Sequence, residues 1–198
     1  LVPRARAFAE EVHVGDTRKG NGLPYFEAHL EPVAELVRQS GGSSTQIAAA
    51  YLHDAAEDHG GRAMLDHIRA EFGADVAAIV RDLSDSLTDT TDGSAKEPWP
   101  VRKQRYLAAL AEKPVRSLEV SVADKLHNAE TTLDDLRRIG VAVWQDFNEQ
   151  RPEAQLWYYT TLAEVFADRI PDHPLTPQMT TVVEAMAPDL GPTVDLLL

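Results

Sequence analysis

The stretch Ala48-Ala49-Ala50-Tyr51-Leu52-His53-Asp54-Ala55-Ala56-Glu57-Asp58 decides how the chain is read. From Ile47 to Leu52 and on to Ala56 nearly every residue is apolar, which suits a helix enclosed on most sides. Four ionisable side chains nevertheless close the run: His53, Asp54, Glu57 and Asp58. On one continuous helix they fall at about 0°, 100°, 40° and 140°, so all four are expected over a single arc. Burying such groups unpaired costs several kcal/mol, so the arc calls for a bound cation or a cleft filled by water and substrate. Neutral imidazole and carboxylate are ordinary ligands of a divalent metal, which fits His53 and Asp54. Glu57 and Asp58, one turn on, stand where they could act on a water as general acid or base. Taken alone, the same residues also fit a helix end with a solvated acidic turn, so the rest of the chain has to decide.

The 198 residues are enough for one domain with a proper core. Absence of cysteine excludes a disulfide scaffold, a zinc-thiolate site and a thiol nucleophile, and fits a cytoplasmic protein. No apolar run approaches the roughly 20 residues that cross a bilayer, and Leu1-Val2-Pro3-Arg4 does not read as a signal peptide. A net charge of −13 argues against general affinity for nucleic acid or an anionic membrane. It leaves room for an anionic small molecule, because a metal and a few local Arg or Lys side chains can reverse the field inside one cleft. Self-association is left open.

Ala and Leu recur at helical spacing and no segment alternates, so the chain is expected to be an all-α bundle of about eight to ten helices. Helices are predicted over 3–13, 26–40, 45–58, 62–72, 74–86, 101–112, 115–138 and 152–169. The glycine-rich loop 15–25 separates the first two, Gly41-Gly42 stops the second, and Ser43, Ser44 or Thr45 caps the third. A polar loop covers 88–97, and Pro100 suits the first turn of the helix that follows. Residues 1–170 are read as the domain. Residues 171–198 are read as a proline-rich tail whose short helix, near 177–187, packs on the same domain.

Three other stretches supply what the central helix needs. His29 closes Pro24-Tyr25-Phe26-Glu27-Ala28-His29 on the second helix. Val120-Ser121-Val122-Ala123-Asp124-Lys125-Leu126-His127-Asn128 repeats the pattern of an apolar helical run ending in polar groups, with Asp124 and Asn128 on one face. Arg18-Lys19 lies in the glycine-rich loop, where guanidinium and backbone donors can meet phosphate. By default Arg102-Lys103-Gln104-Arg105 is a solvated helix face, and His13, His59, His67, His127 and His173 are structural or surface groups.

In this order, His29, His53-Asp54 and Asp124 resemble the H…HD…D signature of the HD-domain metal phosphohydrolases. Arg18-Lys19 with Pro24-Tyr25 to His29 is similar to the R-K…P-Y-x-x-x-H opening of the RelA/SpoT-type hydrolase domain. His53 to Asp58 resembles its H-D-x-x-E-D segment, Ala123 to Asn128 its A-D-(K/R)-L-x-N segment, and Glu71-Phe72-Gly73 with Val76 and Val80 its F-G-x-x-V helix. The resemblance spans about 10–165. It departs at His59, where the long enzymes carry Thr, at Leu30, where they carry Pro, and in the loop 88–100.

The resemblance implies one divalent metal, manganese in this family, held by His29, His53, Asp54 and Asp124. Glu57 and Asp58 then position or deprotonate the attacking water, while Arg18, Lys19 and Asn128 hold the nucleotide. Relatives place an aromatic hydroxyl from the last long helix near the nucleotide, which points to Tyr158. The implied reaction removes the 3′-diphosphate of (p)ppGpp, giving GDP or GTP and pyrophosphate, as in the small stand-alone alarmone hydrolases. The same metal chemistry on another ester, a nucleoside monophosphate or the 2′-phosphate of NADPH, is the enzymatic alternative. A module that only senses a nucleotide is the non-catalytic one.

Overall fold

Ser43 starts the helix around which the others pack. Its hydroxyl accepts the Gln46 backbone N–H at 3.3 Å while the Gln46 side chain accepts the Ser43 N–H at 2.9 Å, a reciprocal cap. The computed structural model describes residues 1–18, 22–90 and 93–189. Helix α3, Ser44–Leu52, buries Ala48, Ala49, Ala50 and Leu52 completely. These small side chains let α1 (Val2–Val12), α2 (Glu31–Gln39), α6 (Ala74–Leu83) and α8 (Val115–Ile139) all come against α3. The fold is all-α, and among the described residues the only β-type pairing is an isolated bridge between Thr17 and Pro24.

The predicted helix 45–58 is broken. The His53 ring donates from Nδ1 to the Ala50 carbonyl at 2.7 Å, engaging a group that the next turn of α3 would use. The chain turns at His53-Asp54 and resumes as the short α4, Ala55–Asp58. The four ionisable side chains are therefore delivered by a helix end, a turn and a new helical turn, although His53 and Asp54 keep right-handed helical angles and Asp54, Glu57 and Asp58 line one cleft. The predicted helix 26–40 is also irregular: Phe26–Leu30 forms a wider π turn before α2, and it carries His29 into the interior at 1 % exposure. Single π turns of this kind are frequent at functional sites.

Helix α5 (Gly61–Phe72) leads through Gly73 to α6, which ends at Leu83, three residues before its predicted end. The segment from Ser84 to Pro98 is irregular where described, and α7 spans Trp99–Leu110. Helix α8 runs 25 residues through the middle of the molecule, burying Leu118, Val122, Leu126, Leu133 and Leu136 on its apolar stripe. A 3₁₀ segment, Gly140–Asp146, has no counterpart among the predicted helices; it buries Val143 and Trp144. Helices α9 (Pro152–Arg169) and α10 (Thr176–Asp189) pack on α8 and on each other, with Phe166, Met179 and Met186 fully buried.

Gly61 sets the distance between α5 and the segment after α6. Its φ is +57°, and a Cβ there would lie 2.5 Å from the Leu87 carbonyl oxygen and 2.8 Å from the Asp89 nitrogen. Both obstacles are backbone, so they cannot rotate away. Gly61→Ala is expected to destabilise the protein by about 1–3 kcal/mol, read as a lower melting temperature. An unchanged melting temperature would show that the 84–89 segment is free to shift.

Candidate metal centre and cleft

The π turn, the α3–α4 break and the middle of α8 converge. His29 Nε2 lies 3.4 Å from Asp54 Oδ2 and 3.3 Å from Asp124 Oδ1. His53 Nε2 lies 3.1 Å from Asp54 Oδ2 and 3.5 Å from Asp124 Oδ1. His29, His53 and Asp124 are all buried, and their ligand atoms fall within 4.8 Å of one another.

The donor set fits a divalent cation. With Nδ1–H given to Ala50, His53 is left with a lone pair on Nε2, and that atom is buried without a hydrogen-bond partner. A lone pair facing two carboxylates is unfavourable unless a cation lies between them. Atoms about 2.1 Å from one ion stand about 3.0–3.4 Å apart for octahedral to tetrahedral angles, close to the separations found. Without an ion, burial opposes a charged His53, but Asp54 and Asp124 outweigh it and hold the imidazole well above its ordinary range. The cluster is thus built for positive charge.

Each of these side chains is held from outside. His29 Nδ1 is 2.9 Å from His127 Nδ1, and burial together with His29 pushes His127 down to about 4, so His127 is neutral and can accept. The Tyr25 hydroxyl donates to Asp54 Oδ2 at 2.6 Å. Lys125 Nζ donates to Asp124 Oδ2, and Asn128 Nδ2 to Asp124 Oδ1, both at 2.6 Å. Burial opposes ionisation of Asp124, yet Lys125 and His53 keep its carboxyl well below the usual range. Such outer partners fix ring orientation and ligand basicity.

Glu57 and Asp58 stand on α4 beside this centre and line the same cleft, about 420 Å³, with Arg18, Tyr25, Lys103, Lys125 and Asn128. A second cavity of about 310 Å³ shares Glu57, Asp58, Lys103, Lys125 and Asn128 and adds Lys96, Arg102 and the Trp99, Tyr158 and Tyr159 rings. Glu57 Oε2 accepts the Asp85 backbone N–H at 3.2 Å, and Lys96 Nζ bridges Glu57 Oε1 at 3.1 Å and Asp58 Oδ1 at 3.4 Å. Burial and Asp85 push Glu57 up. Desolvation by the cleft wall, with Asp54 and Glu57, pushes Asp58 up to about 7 although its side chain sits at the rim.

The arrangement corrects two readings of the sequence. Arg102 is no solvated residue: it is 6 % exposed and pairs with Asp85, which also takes Lys103 Nζ at 2.7 Å. Asp85 draws both cations inward, a contact that local helix patterning cannot show. His127 likewise is neither surface nor merely structural, because α8 aims it at His29. From the sequence no role attaches to Tyr25, Lys125, Asp85 or Lys96, although Tyr25 and Lys125 are fixed positions of the P-Y-x-x-x-H and A-D-(K/R)-L-x-N segments, which is the signal available for them.

Arg18 donates to Asn128 and lies 5.8 Å from the Tyr25 ring centroid, so the structure joins these two predicted nucleotide contacts. Lys19 lies outside the described residues. The Tyr158 ring lines the second cavity with Lys103 Nζ 4.9 Å from its centroid, but its hydroxyl is buried and unpartnered.

Comparison with known proteins places the chain in a family. Residues 5–150 match the family described as HD domain. The chain belongs to the HD-domain family. A Synechocystis protein named probable guanosine-3′,5′-bis(diphosphate) 3′-pyrophosphohydrolase is 37 % identical over 131 residues, 66 % of this chain and 16 % of its own length. A Mycobacterium leprae protein named probable GTP pyrophosphokinase is 36 % identical over the same shares. The chain thus spans about a sixth of the length of these curated relatives. Among solved structures, lmo0812 from Listeria monocytogenes matches with a TM-score of 0.65 at 24 % identity, covering 79 % of this chain and 96 % of that one. A metazoan SpoT ortholog described as hydrolysing ppGpp matches with a TM-score of 0.71 at 19 % identity, covering 92 % and 93 %. Both share the fold. No helix among the described residues is long and apolar enough to cross a membrane.

Proposed function

We propose that the chain is a metal-dependent phosphohydrolase that removes the 3′-diphosphate of (p)ppGpp, giving GDP or GTP and pyrophosphate. The observation that carries this reading is the meeting of two imidazoles and two carboxylates beside a second carboxylate pair, in a cleft walled by cations. His29, His53, Asp54 and Asp124 would hold the ion, with manganese as the proposed metal. When bound, a divalent cation draws charge from a phosphoryl oxygen and acidifies water.

The chain's own groups supply the rest. Glu57 and Asp58, both raised towards neutrality, form the pair that can take a proton from water and release it again, with Lys96 held between them. Lys96, Lys103 and Lys125 bring positive charge to the cleft wall, where they can balance the phosphoryl oxygens as water attacks the phosphorus and the ribose 3′-oxygen departs, taking up the proton released from that water. Arg18 and Asn128 form the side that meets the nucleoside and its 5′-phosphates.

Because only the ionised carboxylate accepts a proton, activity is expected to fall as pH drops through about 7 or somewhat below, a bound cation pulling the Asp58 carboxyl down. Asp58→Asn should flatten that limb; an unaltered acid limb in the variant removes Asp58 from the proton transfer. The function itself is tested by incubating the protein and Mn²⁺ with ppGpp, nucleoside monophosphates and NADPH. Pyrophosphate with GDP supports the proposal, orthophosphate from either of the others replaces it, and metal binding without any turnover leaves a nucleotide sensor.

A further inference from the structure

Among the described residues, the segment that carries Arg18 and Tyr25 is closed on itself by three backbone hydrogen bonds beside the Thr17–Pro24 bridge: Arg18 N–H to the Leu23 carbonyl at 2.8 Å, Gly22 N–H to the Arg18 carbonyl at 2.9 Å, and Tyr25 N–H to the Asp16 carbonyl at 3.0 Å. These bonds lie within the segment; its base is tied to the rest of the bundle by a triad drawn from three places. His13 follows α1, Asp16 begins the segment, and His59 directly follows Glu57-Asp58 at the end of α4. Asp16 Oδ2 lies 2.9 Å from His13 Nδ1 and 2.7 Å from His59 Nε2.

Two imidazoles and a carboxylate could also hold a metal, and the contrast with the first cluster argues for hydrogen bonds here. In the His29–His53 centre the nitrogen–oxygen separations are 3.1–3.5 Å, and the His53 Nε2 makes no hydrogen bond. In the triad both separations are ordinary for N–H donors on one charged oxygen. Donation from His13 Nδ1 leaves a lone pair on its buried, unpartnered Nε2, which costs less than an orphaned N–H. The His13 ring also stacks on Tyr25, with centroids 5.3 Å apart, and Tyr25 in turn holds Asp54.

We infer that Asp16 and His59 are positioning residues: a latch that ties the Arg18–Tyr25 segment to the end of the helix bearing the acid pair, and so sets the nucleoside side of the cleft. The inference rests on the proposed hydrolysis for its kinetic meaning, but not for its structural one. Asp16 lines the cleft beside Arg18, and the chain from His59 through Asp16 and Tyr25 to Asp54 closes a loop around its mouth. A released latch leaves the metal ligands in place and lets Arg18 leave Asn128.

In the full-length chain, His59→Ala is expected to raise KM for ppGpp about tenfold, the scale of one hydrogen bond to a charged group, with kcat nearly kept. Amide exchange at Arg18 and Tyr25 should quicken about tenfold while that of α8 stays unchanged. His59→Gln, whose amide can still donate to Asp16, should restore both, and the bound ion should remain one equivalent throughout. The latch is overturned if His59→Ala leaves exchange at Arg18 and Tyr25 unaltered, if Gln fails to restore what Ala loses, or if a second ion binds and is lost in His13→Ala. A wild-type protein inert towards every nucleotide would instead defeat the hydrolase reading, while the exchange data would still judge the latch.

Discussion

His53→Ala is expected to abolish stoichiometric binding of the divalent ion and to take nearly all turnover with it. Loss of a group that only supports a ligand costs about 10–100-fold in metal affinity, and His53 is itself one of the four proposed donors. The ring is 2 % exposed, and its removal leaves Asp54 and Asp124 facing His29 alone. Metal analysis after gel filtration, with a circular dichroism spectrum to confirm folding, reads the result. A folded variant that retains a full equivalent of metal would remove His53 from the coordination sphere.

Glu57→Gln separates chemistry from metal binding. The glutamine keeps the volume and an acceptor for the Asp85 N–H, but it gives up the charge that holds Lys96 between Glu57 and Asp58. Metal content should be unchanged, while kcat falls by about 10²–10⁴-fold, the usual range for a lost acid–base group. Equal metal loss in Glu57→Gln and His53→Ala would mean that the two roles have been wrongly divided. Retained turnover in Glu57→Gln would move the proton chemistry to Asp58 alone.

The all-α fold could be read from helical spacing, and the meeting of His29, His53, Asp54, Asp124 and Asn128 from the resemblance of their short runs to the motifs of one family. What stayed hidden depends on contacts between distant segments or on local strain. The break at His53-Asp54 follows from a side chain bonding to its own backbone, which helical periodicity treats as uninterrupted. The π turn before α2 adds a residue without altering the apolar pattern. Arg102 reads as surface until Asp85, from another segment, is brought beneath it. His59 has no obvious task until α1 and the segment after it place Asp16 against it. The candidate groups sit in recognisable motifs; the side chains that brace them are brought in by packing.

The four proposed donors come from a π turn, a helix break and the middle of α8, parts of the chain that meet only once it is folded. An ion gripped this way has no equivalent partner in the denatured chain, so its binding energy is added to the folding equilibrium. Chelation would then lower the melting temperature as well as the rate. In a cell deprived of the ion, the protein would become more prone to proteolysis, tying its abundance to mineral supply.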